Sequence, residues 1–101
     1  LEIIAMPTQP TQFLLLAHRE MPTPGWGFHI DGVHVDGAGR ITVKITDIPP
    51  AADAAIGGTA PSVMAAQLGA LRAGRYVVEL LSRRSPSEPY RLLQAEVVEA
   101  L

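Results

Sequence analysis

The sequence predicts an all-β domain, a sandwich of about seven short antiparallel strands in two sheets. Three observations favour it. Short apolar runs are separated by turn signals, several runs alternate apolar and polar residues, and Leu71, Gly74 and Tyr76 have the spacing L-x-x-G-x-Y. In that spacing the Tyr hydroxyl can bond to backbone a few residues upstream and fix the corner where the chain passes between the sheets. The 101 residues are enough for one core, so we expect a single domain over 1–101.

The composition excludes several classes of protein. Hydrophobic residues make up 48% of the chain and charged residues 18%, which excludes a disordered chain. The net charge is -2 and the only adjacent cationic pair is Arg83–Arg84, so we do not expect a nucleic-acid partner. The chain has no Cys, which removes disulfides, thiolate metal sites and Cys nucleophiles. No apolar run approaches the roughly 20 residues of a membrane helix, so we expect no membrane insertion.

The first predicted strands are Leu1–Met6, which stops at a Pro, and Thr11–Arg19. The second of them is apolar at both odd and even positions, as in a strand that is covered on both faces. Its two apolar sets are Phe13, Leu15 and Ala17 on one face and Leu14 and Leu16 on the other.

A change of phase marks the next strand. In Trp26–Asp36 the apolar residues stand at even positions first and at odd positions from Val33 on. A β-bulge at Asp31–Gly32 restores the phase, and Gly is the residue that such a bulge favours. The same shift places His29 and His34 on one outward face.

The middle of the chain predicts a hairpin and a long connection. Asp36–Arg40 is a Gly-rich loop, and Ile41–Ile48 alternates as a strand with one apolar face inward. The segment Pro49–Pro61 connects to the second half, and its Ala-rich part could form one short helical turn near 50–56.

Two segments of the second half fit either a helix or a strand. Over 62–71 the strand is preferred, and the alternative is a helix with Ser62 as its N-cap. Over 90–101 the preferred strand has Leu93, Ala95 and Val97 inward, whereas a helix would align Leu93, Val97 and Leu101. Between them, Arg75–Arg84 is predicted as a strand, and its inward residues are Tyr76, Val78 and Leu80.

The stretch LGALRAGRYVVEL, Leu68–Leu80, resembles the corner and following strand of many immunoglobulin-like and fibronectin-III-like domains. This resemblance implies a β-sandwich and no particular activity. The Cys pair and the central Trp of true immunoglobulin domains are absent, which argues against that subgroup.

A second resemblance covers Pro22–Ile48. Thr23, Pro24, Gly25 and Trp26 begin a strand, a Gly turn and an alternating strand that ends in Pro-Pro, and this order is similar to the C-terminal domain of PrcB-type protease-complex accessory proteins. The chain departs from that pattern at Pro24, where a second Gly is more usual, and the similarity is not traceable after Ala51. The resemblance implies an extracytoplasmic, non-catalytic bacterial subunit that binds a protease.

Candidate chemistry is sparse. His29 and His34, with Asp31, Asp36 or His18, could hold Zn or Cu on the outer face, although exposed His residues on a hairpin are ordinary surface residues. The sequence has neither a G-x-S-x-G elbow nor a phosphate-binding G-x-x-x-x-G-K-[ST] loop. We therefore expect no enzyme activity, no cofactor and no resident metal.

Apolar residues that point away from the core are the better indication of function. Leu14, Leu16, Val77 and Leu81 are predicted on outer sheet faces, and Trp26 with its Pro-rich loop is a further recognition element if it is exposed. The alternatives are that the Pro49–Pro61 loop covers the outer residues and that the core takes up Trp26. The sequence thus predicts a non-catalytic interaction or accessory domain that binds a protein partner or self-associates, with strand addition at a sheet edge as another mode.

Overall fold

The computed structural model describes residues 1–21, 25–50 and 60–100, which form seven strands and contain no helix. Among these residues, therefore, no helix is long and apolar enough to cross a membrane. The strands are β1 (Glu2–Met6), β2 (Gln12–Met21), β3 (Gly27–Val35), β4 (Arg40–Ile48), β5 (Ala60–Gly69), β6 (Gly74–Arg83) and β7 (Arg91–Ala100).

The strands form a three-stranded sheet with the order β1-β2-β5 and a four-stranded sheet with the order β3-β4-β6-β7. The predicted all-β, two-sheet fold with seven strands is thereby confirmed. The pairing of β4 with β6 is parallel, and the other pairings are antiparallel. In a constant-type immunoglobulin domain the fourth strand pairs with the fifth. Here β4 lies between β3 and β6, so the strand order departs from that arrangement and from a wholly antiparallel sandwich.

The core lies between the inner faces of the two sheets. Each inner strand contributes alternate residues, because side chains of a strand point to opposite faces with a period of two. The fully buried side chains with the largest volumes are Leu15, Ile41, Val43, Ile45, Met64, Val78 and Leu80. The inward sets predicted for β2, β4 and β6 are confirmed, since Phe13 and Ala17 are also buried and Tyr76 packs against the core.

The two segments that fitted either a helix or a strand form strands over 62–69 and 91–100. In β5 the buried residues Met64, Ala66 and Leu68 alternate with exposed ones, which is the pattern of a half-covered strand. The helical turn was predicted near 50–56. Of these residues only Pro50 is described, so this prediction lies outside the described residues.

The predicted bulge is present in β3. Ile30 pairs with Ile45 and Gly32 pairs with Lys44, so Asp31 is the extra residue. The expected reason for a Gly at this place is wrong, however. Gly32 does not have a positive φ, and a Cβ at this residue would meet no atom within 4 Å. The bulge therefore needs only the extra residue, and neither the φ of Gly32 nor the space around it excludes a β-carbon there.

The corner between β5 and β6 has the predicted hydrogen bond. The Tyr76 hydroxyl donates to the carbonyl oxygen of Arg72 at 2.8 Å. Because β5 belongs to the three-stranded sheet and β6 to the four-stranded sheet, this bond fixes the crossing between the two sheets.

The prediction of which β7 residues face the core is wrong. Val98 pairs with Tyr76 and Ala100 is buried, so the even positions from Gln94 to Ala100 are on the core side of the sheet. The odd positions Leu93 and Val97, which were predicted inward, are exposed. The sequence is ambiguous here because Leu92–Leu93 and Val97–Val98 supply apolar side chains to both faces, and the pairing with β6 decides between them.

A charged pair joins the two sheets near one end of the core. Arg19 of β2 and Asp47 of β4 both point inward, at positions where their strands otherwise carry apolar residues. The guanidinium donates to both carboxylate oxygens, at 2.7 and 3.0 Å. This bidentate hydrogen bonding pairs both charges at the end of the core, close to solvent.

Candidate functional site

The main candidate is an apolar surface on the outer side of β6 and β7. Here Val77 pairs with Val97, and Leu81 pairs with Leu92. The exposed fractions are 42% for Val77, 59% for Leu92, 45% for Leu93 and 65% for Val97. We define the β6–β7 face as Val77, Leu81, Leu92, Leu93, Ala95 and Val97.

The register of β6 and β7 builds this surface. The pairing shifts between Leu80 and Leu81, which makes Leu93 the extra residue and brings Leu92 beside Leu81. A β-bulge at an edge strand re-aims side chains in this way. The result is three adjacent Leu side chains at one end of the face and the Val77–Val97 pair further along.

The β6–β7 face carries one charge among its apolar residues, and that charge is paired. Glu79 lies opposite Ala95, and its carboxylate is 3.1 Å from Nε of Arg40. At the end of the face, Nε of Arg75 donates to Glu99 at 3.3 Å. A sheet face with this many exposed apolar side chains is typical of a surface that contacts another macromolecule.

The structure separates the predicted partner-binding residues into two groups. Val77 and Leu81 belong to the β6–β7 face, whereas Leu14 and Leu16 lie on the outer face of the three-stranded sheet. Both Leu residues are half-buried there. The four residues therefore belong to two different outer faces and do not form one surface. Trp26 is half-buried just before β3, and residues 22–24 of its loop lie outside the described residues.

The two candidate metal ligands share the predicted outward face but are far apart. His29 pairs with Thr46 and His34 with Thr42, four residues away along β4. At about 3.3 Å per residue this separation is about 13 Å, too long for one metal ion to bridge. Among the described residues, no group of three His, Cys, Asp or Glu side chains is placed to hold a metal.

Asp31, the bulged residue of β3, is the centre of a polar cluster that the sequence did not reveal. Its carboxylate accepts hydrogen bonds from the hydroxyls of Thr46, at 2.5 Å, and Tyr90, at 2.7 Å, and from Nδ1 of His29 at 2.8 Å. The hydrogen bond from Thr46, followed by those from His29 and Tyr90, holds the pKa of Asp31 well below its usual range. The hydrogen bond to this ionised carboxylate raises the pKa of Tyr90.

Two cations complete the cluster. The Tyr90 ring lies between Arg83, whose Cζ is 4.6 Å from the ring centroid, and Lys44, whose Nζ is 5.3 Å from it. Nε of Arg83 also donates to Thr46 at 2.9 Å. The cluster thus ties the residue before β7 to β3, β4 and β6, and it fixes where β7 begins.

A pocket of about 500 Å³ lies beside this cluster, between the ends of β4 and β6. Its lining includes His29, Asp31, Thr46, Arg83 and Ser85. An ionised carboxylate only accepts hydrogen bonds, so Nδ1 of His29 carries the proton in this pair. Ser85 is bonded to Ser87, at 3.0 Å between the hydroxyl oxygens, and no hydrogen bond among the described residues joins it to His29. Within the described part of the chain, the pocket therefore holds an imidazole oriented by Asp31 and a Ser85 hydroxyl that is not hydrogen-bonded to it.

A second pocket, of about 400 Å³, lies at the other end of the four-stranded sheet. The β3–β4 turn and the corner before β6 form it, with Asp36, Leu71, Arg72 and Tyr76 among the lining residues. Asp36 accepts from the backbone N–H groups of Ala38 and Arg40, each at 2.9 Å. These bonds hold the turn closed, and they lower the pKa of the Asp36 carboxyl.

One sequence signal for the inter-sheet pair was available. The inward phase of β2 runs through Phe13, Leu15 and Ala17 to Arg19, and a charged residue in an apolar phase needs an opposite charge nearby. Asp47 stands in the same position relative to the inward residues of β4. No comparable signal exists for Tyr90, which lies 59 residues from Asp31 in sequence.

Comparisons of the chain with protein-family models, with curated proteins and with solved structures found no significant match. The class that the fold itself defines is an all-β domain of two packed sheets.

Proposed function

We propose that this chain is a non-catalytic interaction domain that binds a protein partner through the β6–β7 face. The observation that carries this proposal is the exposure of Val77, Leu92, Leu93 and Val97 on one side of two adjacent strands. Burying apolar side chains of this size releases about 25 cal/mol per Å² of apolar surface, so a partner that covers them gains affinity.

The edge strands are protected, which favours a partner that docks on a sheet face over one that adds a strand to a sheet edge. Proteins protect their edge strands with bulges, Pro residues and short strands. Here β3 has a bulge at Asp31, β5 contains Pro61, and β1 has 5 residues before Pro7. The first half of β7 is interrupted by its own bulge. The β6–β7 face has no comparable protection.

The two resemblances seen in the sequence guide the choice of partner. The tyrosine corner supports an immunoglobulin-like or fibronectin-III-like interpretation of the sandwich, a class often built for recognition, even though β4 departs from that strand order. The Pro22–Ile48 stretch, similar to PrcB-type accessory proteins, makes a protease complex outside the cytoplasm the first partner to test. In that role the domain would be an accessory or inhibitory subunit.

A capture experiment with matched variants tests the proposal. Val97→Lys places a charge in the β6–β7 face, and Val63→Lys places the same charge at a similarly exposed Val on the other sheet, 55% exposed against 65% for Val97. We expect one protein to be captured by the wild type and by Val63→Lys, and to be lost with Val97→Lys. Hydrogen exchange of the complex should then show protection in β6 and β7.

Two results would contradict the proposal. In the first, Val97→Lys still captures the partner protein. In the second, Val97→Lys and Val63→Lys lose capture of that protein to the same degree. Thermal unfolding of the free variants establishes that they are folded, and both substitutions lie at exposed positions.

A further inference from the structure

The second pocket, between the β3–β4 turn and the corner before β6, has the size of a small-molecule site. Its volume is about 400 Å³, and such sites measure about 300–1,000 Å³. Three of its lining side chains, Val35, Leu71 and Tyr76, are partly buried and pack against the core. A Cβ built at Gly37 or Gly74, which also line the pocket, would meet no atom within 4 Å. The pocket is therefore an open space with an apolar wall.

The lining of this pocket also includes two opposite charges that do not form an ion pair. Arg72 is exposed, and its guanidinium makes no hydrogen bond or ion pair with any described residue. Asp36 uses one carboxylate oxygen, Oδ1, to accept from the N–H groups of the turn, and no described residue donates to Oδ2. Oδ2 is accessible, because no buried polar side-chain atom in the described part of the chain lacks a hydrogen-bond partner. The remaining charged residue of the lining, Arg75, is already bonded to Glu99.

From this we infer that the pocket binds a small zwitterion, with an ammonium and a carboxylate on an aliphatic body, as in a free amino acid or a short peptide. The Arg72 guanidinium donates to the carboxylate of the ligand, and the Asp36 carboxylate accepts from its ammonium. The aliphatic part lies against Leu71 and Tyr76.

The two charges of the pocket select this class of ligand. A ligand with one charge gives an opposite charge to only one of the two side chains and brings a like charge towards the other, whereas a zwitterion pairs with Arg72 and Asp36 together. None of the residues that define the β6–β7 face lines this pocket. The site therefore goes beyond the proposed function and does not depend on it.

Titration with L-leucine and its single-charge analogues, followed by NMR, tests this inference. Each probe is added up to about 50 mM, because a ligand of this size gains limited affinity. We expect L-leucine to shift the backbone amide signals of Gly37 and Gly74. Isocaproate lacks the ammonium and isoamylamine lacks the carboxylate, so each should bind about tenfold more weakly. Leucyl-leucine carries the same two charges further apart, and the tighter binder of L-leucine and leucyl-leucine identifies the ligand as a free amino acid or a peptide.

Two variants show whether these side chains hold the two charges. Arg72→Ala removes the partner of the carboxylate, so L-leucine and isoamylamine should bind to it with equal affinity. Asp36→Asn keeps an oxygen for the N–H groups of the turn and removes the negative charge, so L-leucine and isocaproate should bind to it equally. Arg84→Ala removes another exposed arginine, just beyond the opposite end of β6, and as the control it should bind L-leucine as the wild type does.

Several results would overturn the inference. L-leucine and leucyl-leucine that both leave the signals of the pocket unshifted would do so, and so would analogues that bind as tightly as L-leucine. An Arg72→Ala variant that still prefers L-leucine to isoamylamine as strongly as the wild type does would exclude the assigned role of Arg72. Thermal unfolding establishes that the variants are folded, and if Asp36→Asn is not, the analogues and Arg72→Ala decide the outcome. The capture experiment tests the β6–β7 face, so failure of this site and failure of the proposed function are read separately.

Discussion

Arg19 of β2 and Asp47 of β4 form a largely buried ionic link between the two sheets, with hydrogen bonds of 2.7 and 3.0 Å and side chains that are only 13% and 8% exposed. A planar guanidinium that donates to both oxygens of a carboxylate fixes distance and orientation together. The pair thus sets how the inner faces of β2 and β4 oppose each other at this end of the core.

Removal of one member of this pair should be costly. Asp47→Ala leaves the Arg19 guanidinium partly buried without its partner, and we expect a loss of about 3 kcal/mol in the free energy of unfolding. The double variant Arg19→Met/Asp47→Leu should recover most of this loss, because it leaves no uncompensated charge. Urea denaturation measures both. Arg75→Ala, which removes the exposed pair with Glu99, is the control and should cost less than about 1 kcal/mol.

The corner hydrogen bond gives a second prediction. Tyr76→Phe removes the donor to the Arg72 carbonyl and should lower the free energy of unfolding by about 1 kcal/mol. Arg72→Ala keeps the backbone carbonyl and should have little effect, which makes it the matched control. If Tyr76→Phe is as stable as the wild type, the hydroxyl does not stabilise the corner between the sheets.

Two of the Gly residues of the β3–β4 hairpin, Gly32 and Gly39, should respond differently to substitution. Gly32 is in ordinary strand backbone with open space at its Cβ, so Gly32→Val should be neutral or should stabilise the strand by up to about 1 kcal/mol. Gly39 has a φ of 89°, and a Cβ there would lie 3.4 Å from the Arg75 carbonyl oxygen. Gly39→Ala should therefore destabilise by about 1 kcal/mol or more. Thermal unfolding of the two variants checks this contrast, and equal losses would contradict it.

Asp31 should make the stability depend on pH on the acid side. Its folded pKa is lowered, so the unfolded chain binds a proton at Asp31 more readily once the pH falls to about 4. The stabilisation from ionised Asp31 is thus complete at neutral pH and is lost as the pH falls through and below that value. The advantage of the wild type over Asp31→Asn in free energy of unfolding should be largest at pH 7 and should shrink on acidification.

A direct titration complements that measurement. Thr46→Val removes the donor with the largest effect on Asp31 and should raise the pKa of this carboxyl towards its usual value, as followed by its carbon chemical shift. An Asp31 carboxyl that titrates normally in the wild type would show that the cluster does not hold it ionised.

Local periodicity was sufficient for most of the architecture. The alternation in β2, β4 and β6 identified strands and their inward faces, because a residue's face depends only on its parity within a strand. The change of phase between Ile30 and Val33 located the bulge at Asp31, and the L-x-x-G-x-Y spacing located the bond from Tyr76 to Arg72. Each of these signals is carried by residues close together in sequence.

The tertiary structure decided what depends on pairing between distant strands. The doubled residues Leu92–Leu93 and Val97–Val98 fit either phase of β7, and the register with β6 turns Val98 towards the core and leaves Leu92, Leu93 and Val97 on the surface. The parallel placement of β4 beside β6, and the meeting of Asp31 with Tyr90, join segments whose contact no local pattern encodes. The sequence by itself therefore determined the strands, the bulge and the corner. The three-dimensional pairing decided which apolar residues remained on the surface, and those residues form the β6–β7 face.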